Sequence, residues 1–151
     1  MKGGSIVRGA TASRKAALFR SLGAGIAGFL VYGGWAYYVN ADHGHDMGVM
    51  AGVTQGTYSF VLTMSTTYLM EFLLITFRHM PGRRTATVVV TSVITFGTAF
   101  GIHFLIGTPE ILLTILPGFL IGTAYTVSYV TAVSVLDNGQ AGMKARQSAT
   151  E

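Results

Sequence analysis

Residues 85–106 read TATVVVTSVITFGTAFGIHFLI, a run without a formally charged side chain that begins directly after Arg83-Arg84. Crossing about 30 Å of hydrocarbon takes on the order of 20 helical residues, so this run has the length and character of a transmembrane helix. Outward from it, three further runs qualify, at about residues 16–39, 48–77 and 109–136. The second and fourth exceed what a perpendicular crossing needs, so each is expected to tilt or to project. Helical hairpins inside a soluble protein are the rival reading, but four such runs leave too little polar chain to cover them. Only 11% of the 151 residues are charged, against about a quarter in soluble domains, whose surfaces face water. The expected fold is all-α, an integral membrane four-helix bundle with short loops, flanked by a basic leader at 1–15 and a polar tail at 137–151.

Charge fixes the expected orientation. Lys2, Arg8, Arg14, Lys15 and Arg20 precede span one, Arg78, Arg83 and Arg84 separate spans two and three, and Lys144 and Arg146 follow span four. Those are all ten Lys and Arg residues, and they fall on one side. The other side receives only the loop 40–47 and the turn 107–110. By the positive-inside rule both termini are expected in the cytoplasm. The compact size and sharp asymmetry suggest a bacterial inner membrane. A cleaved leader is disfavoured, because the apolar run before Val39-Asn40-Ala41 is too long and the basic segment too extended. The net charge of +4 lies in blocks beside the spans, with no basic face to track a nucleic acid.

Local signals fit this arrangement. Trp35, Tyr37 and Tyr38 stand where an interfacial aromatic belt is expected. Thr108-Pro109-Glu110 reads as a helix start, with a capping hydroxyl, Pro in the first turn and an acid at the positive dipole end. Asp46 is expected to cap span two in the same way. Pro117-Gly118 predicts a kink in span four, with freed carbonyls that a neighbouring helix must satisfy.

Lipid tails are as apolar as leucine, so spans associate through close backbone approach and hydrogen bonds. Gly48, Gly52 and Gly56 in span two, Gly97 and Gly101 in span three, and Gly118 and Gly122 in span four are therefore expected helix-packing residues. Thr87, Thr91, Thr95, Ala99 and His103 form one stripe of span three. Gln55, Ser59, Thr63, Thr67 and Glu71 lie on or beside one stripe of span two, either as a packing face or as the wall of a substrate path. Packing is the plainer reading, since hydroxyls bond readily to the preceding turn.

Glu71 is the one acid inside a hydrophobic span, and an intramembrane carboxylate needs a partner. Arg78 on its own helix and Arg20 at the end of span one are the candidates for a structural ion pair; unpaired, Glu71 would carry a proton. The loop Asp42-His43-Gly44-His45-Asp46 offers imidazoles and carboxylates suited to Zn²⁺, Cu²⁺ or Ni²⁺, with His103 and Glu110 expected on the same side. Short polar loops are common, so the simpler reading is a loop without metal, and no cofactor is required. Cysteine is absent, which excludes disulfides and thiolate chemistry. No nucleophile elbow, His-Glu-x-x-His motif or P-loop occurs, so an enzyme is not expected.

In size and topology the chain resembles the small multidrug-resistance transporters and the polyprenol-sugar flippases. It departs from both: span one has no acid where the former carry their essential glutamate, and the latter's motif around span two is absent. The expected function is movement of a small solute or lipid-linked substrate by a homo-oligomer, because four helices enclose little space alone. The alternative is a non-catalytic subunit or assembly factor with a membrane-protein partner. A minor alternative is a metal or pH sensor using His43 and His45.

Overall fold

A computed structural model describes the backbone of residues 3–148 and the side chains of 19, 21–136, 143 and 147. Four helices make up the chain: α1 (Gly3–Asn40), α2 (His45–Thr76), α3 (Arg83–Leu105) and α4 (Ile111–Ser148), with one 3₁₀ turn at Ala41–His43. Their stretches Ser21–His43, His45–Thr76, Arg83–Leu105 and Ile111–Leu136 are each long and apolar enough to cross a membrane. The chain is thus a multi-pass membrane protein. Large side chains on its outside are apolar, Leu105 at 84% exposure among them, as a lipid-facing surface requires.

Where the sequence predicts a separate leader and a loose tail, α1 already runs from Gly3 and α4 continues to Ser148. Neither extension contains Pro, the strongest helix breaker, and Ala, Lys and Arg, which favour helix, recur in both. The links between helices are short because each turns on a glycine with positive φ: Gly44 at 119°, Gly82 at 80° and Gly107 at 72°, a region that L side chains enter only at a cost.

Two expected caps are replaced. α2 starts at His45 behind Gly44 with no side-chain cap, and Asp46 sits exposed in the first turn, where it meets only the helix dipole. Thr108 is turned away from the start of α4 by its bond to His103. The cap comes instead from α1, where Asn40 Oδ1 accepts the Glu110 N–H at 3.0 Å. Asn40 is fully buried, and its Nδ2 also donates to the Ala36 carbonyl and to Thr114 Oγ1, both at 2.8 Å.

The glycines divide sharply. A Cβ placed on Gly33 would lie 2.8 Å from the Gly52 carbonyl oxygen, and one on Gly52 would lie 2.9 Å from the Gly33 oxygen. Gly56 meets the Phe29 carbonyl oxygen at 2.9 Å, and Gly48 meets the Tyr37 ring at 3.1 Å. These three α2 glycines therefore let α1 and α2 touch backbone to backbone, the most extensive contact in the fold. Gly118 packs more loosely, 3.4 Å from Gln55 Nε2. Gly97, Gly101 and Gly122 have nothing within 4 Å, so the packing role expected of them is not met within this chain. On α3 the buried face is instead the Thr87, Thr91, Ala99, His103 stripe, and at the Arg83 end Met70, Leu74 and Val130 form an apolar core among α2 and α4.

Pro117 lies inside α4 and lacks the N–H that would bond the carbonyl four residues back. That carbonyl belongs to Leu113, and the Trp35 indole Nε1–H donates to it at 2.8 Å. Trp35 thus completes a ladder that Pro117 interrupts, rather than serving only as a belt residue. Trp35→Phe is expected to cost about 1 kcal/mol in the native chain. In a Pro117→Ala background, the amide restored at 117 takes over, and the same substitution should cost measurably less. A double-mutant cycle by denaturant titration in detergent reads this coupling; additive effects would remove the proposed link.

Candidate functional site: a hydroxyl-lined cavity with a carboxylate cleft beside it

Between all four helices lies a cavity of about 510 Å³, lined by Gln55, Ser59, Thr63 and Thr67 of α2, Tyr32 of α1, Phe96 of α3, and Phe119 and Tyr125 of α4, among others. The spacing of the α2 residues places them on one face over about 18 Å, at 1.5 Å of rise per residue. One chain therefore encloses the space that the sequence reading assigns to an oligomer. Among the described residues no Lys, Arg, Asp, Glu or His lines it. Its polarity comes from hydroxyls and one amide, and several of those hydroxyls are spent locally: Thr63 donates to the Ser59 carbonyl, Thr66 to that of Leu62, and Thr126 to that of Gly122.

At the Asn40 end the cavity is closed by a buried polar chain. His103 is fully buried, with Nδ1 2.8 Å from Thr108 Oγ1 and Nε2 2.9 Å from Gln55 Oε1. The Thr108 hydroxyl has no other acceptor among the described residues, so it donates to Nδ1, which leaves Nε2–H to donate to the Gln55 oxygen. The imidazole thereby fixes the Gln55 amide with its nitrogen on the other side, 3.4 Å from where a Gly118 Cβ would stand.

At the Arg83 end the polar file steps across to α4. Thr67 Oγ1 lies 3.0 Å from the Tyr125 hydroxyl, and the Tyr129 hydroxyl donates to Glu71 Oε1 at 2.8 Å. Thr67 and Glu71 are four residues apart, as are Tyr125 and Tyr129, so two matched helical ladders meet rung by rung. Beyond them a cleft of about 300 Å³ is lined by Glu71, Arg78 and Arg83. The expected Glu71–Arg78 ion pair does not form: Arg78 falls in the turn after α2, and its Nε donates to His79 Nε2 at 2.9 Å. The other expected partner, Arg20, lies outside the described side chains.

The residues of the 40–47 loop are not brought together as a metal centre. Among the described residues no three His, Cys, Asp or Glu side chains converge. His43 faces Glu110 at 3.5 Å, and His45 Nδ1 meets the Tyr37 hydroxyl at 3.2 Å. Asp42 and Asp46 are exposed, and His103 is committed to Gln55 and Thr108. The 3₁₀ turn and Gly44 send the two loop imidazoles in different directions.

Sequence reasoning misses Asn40, Tyr125, Tyr129 and the capping role of α1. The signal for the tyrosines is their i,i+4 spacing opposite Thr67 and Glu71; for Asn40 no local signal exists, because its partners lie 70 and 74 residues away. In comparisons with protein-family models, curated proteins and solved structures, nothing matches the chain.

Proposed function

We propose that this protein moves a small solute or lipid-linked substrate across the membrane in which its four helices lie, using the cavity as the transit site. The observation that carries this reading is the cavity itself. Its volume of about 510 Å³ falls in the range of small-molecule sites, and polar groups continue from it through Thr67–Tyr125 to Tyr129–Glu71. Because all ten Lys and Arg residues fall on one side of the spans in the sequence, the reading puts both termini in the cytoplasm and the 40–47 loop outside, in a bacterial inner membrane. Glu71 then sits near the cytoplasmic mouth, where an exposed carboxylate that accepts from Tyr129 and shares its cleft with Arg78 and Arg83 exchanges a proton as substrate passes. Self-association through the bare α3 glycines is compatible with this reading, although one chain holds the cavity.

Proteoliposomes test it directly. Candidate neutral solutes should equilibrate faster than in empty vesicles, and Glu71→Gln should slow them about tenfold while leaving expression and sizing profile unchanged. Orientation in the native membrane is read from Asp42→Cys, the only thiol in that variant, which an impermeant maleimide should label from outside intact cells. Wild-type flux in Glu71→Gln would end the proton role, and no flux for any candidate would end the transport reading.

A second reading has its own observation. Gly97 and Gly101 present a smooth, uncovered strip on α3, the kind of surface on which another membrane helix packs. On that reading the protein is an accessory subunit, and a stoichiometric partner should co-purify with it and be lost on Gly97→Leu.

A further inference from the structure

Gln55 is 2% exposed, and its amide oxygen is occupied by His103. Its amide nitrogen has no hydrogen-bond partner among the described residues, and the residue lines the cavity. One turn further along the same face, Ser59 is 6% exposed, and its hydroxyl also bonds nothing described. Neither donor is sealed in protein: both open onto the cavity, where an acceptor on a bound molecule can reach them and contribute about 1 kcal/mol for each bond. Side chains at i and i+4 have Cβ atoms about 6 Å apart, close enough for two carbonyl groups of one small ring to reach both donors. The facing walls are aromatic, from Tyr32, Phe96 and Phe119, with Phe96 and Phe119 edge to face at 5.2 Å.

We infer that the cavity binds an uncharged, membrane-soluble ring compound whose carbonyl oxygens accept hydrogen bonds from the Gln55 amide nitrogen and the Ser59 hydroxyl. Neutrality follows from the lining. A cation or anion would leave water for a site with no counter-charge among the described residues, and isolated charges in such surroundings are strongly disfavoured. Orientation follows from His103, which holds the Gln55 oxygen away and turns the donor inward; without that lock the amide could flip and offer an acceptor instead. Gly118 keeps the approach open, since any side chain there would stand against the amide nitrogen. This inference rests on the cavity being the substrate site and names the class of substrate.

The test is equilibrium partition of a 1,4-benzoquinone bearing one isoprenoid unit between nanodiscs with and without the protein. Methyltriphenylphosphonium and decanoate serve as the charged comparisons. Saturable excess binding of the quinone, with none for either ion, is the expected result. Gln55→Leu should weaken it about tenfold, the loss of one well-made hydrogen bond. Gly118→Ala should weaken it as well, and it keeps the fold, because the added methyl meets its neighbours at ordinary contact distance, 3.4 Å or more. Equal binding of an ion, or quinone binding unchanged in both variants, would overturn the inference. Binding is read without flux, so the two ideas separate. Quinone binding without flux removes only the transport reading, whereas flux of a charged solute without quinone binding removes only this one.

Discussion

Gly52→Leu is expected to destabilise the protein by about 3 kcal/mol or more, at the upper end of what overpacking costs. A Cβ at this position stands 2.9 Å from the Gly33 carbonyl oxygen and 3.1 Å from Tyr37 Cβ. The first of these is backbone, which gives way only if the whole of α1 shifts from α2. A shift of that size would also open the neighbouring contacts at Gly48 and Gly56, so the loss is not local. Gly97→Leu is the matched comparison, since its Cβ meets nothing within 4 Å. It should change stability by no more than about 0.5 kcal/mol, the usual range for surface sites. Unfolding in mixed micelles of increasing sodium dodecyl sulfate measures both. Similar midpoints for the two variants would show that the α1–α2 backbone contact is not what holds the pair.

The second large effect is expected at Asn40. Asn40→Leu removes two donated bonds and, more seriously, leaves the Glu110 N–H without its acceptor. Interhelical hydrogen bonds in membranes average only about 0.6 kcal/mol each, because the separated helices find other partners. Of the two donated bonds only the one to Thr114 is interhelical, and a stranded, part-buried donor adds about 1–3 kcal/mol, so the sum is about 2–3 kcal/mol. Thr114→Val deletes one of the same bonds but keeps the Glu110 N–H satisfied, and should cost under about 1 kcal/mol. The same micelle titration separates them. If the two variants lost equal stability, Asn40 would be one interhelical bond among many and not the cap of α4.

The four helices were legible because length and hydropathy suffice to place a membrane span, and the observed spans Ser21–His43, His45–Thr76, Arg83–Leu105 and Ile111–Leu136 overlap the expected runs. The carbonyl that Pro117 frees, that of Leu113, was legible for a similar reason: a missing N–H is a property of one residue, although the donor that replaces it, Trp35, is not. What the sequence hid are choices between equivalent faces. Gly52 and Gly97 look alike in one dimension, yet only the first meets another backbone, because which stripe turns inward depends on the combined packing of all helices. Glu71 shows the same limit. Its candidate partners were ranked by charge, whereas the structure gives it a neutral hydroxyl from Tyr129, a residue 58 positions away. Caps failed in the same direction. Thr108 and Asp46 have suitable chemistry locally, but a bond to His103 claims the first, and Gly44 begins the helix before the second.

The bonds from Trp35 and Asn40 to α4 are all made near one end of the two helices. Among the described residues no hydrogen bond joins α1 to α4 on the far side of Tyr32. Two rods riveted at one end deflect most at the other, as the arms of a pair of tweezers do. Here both arms also rest on α2, α1 through its glycine contacts and α4 through Tyr125 and Thr67, so α2 sets the width of the gap between Ser21 and Tyr125.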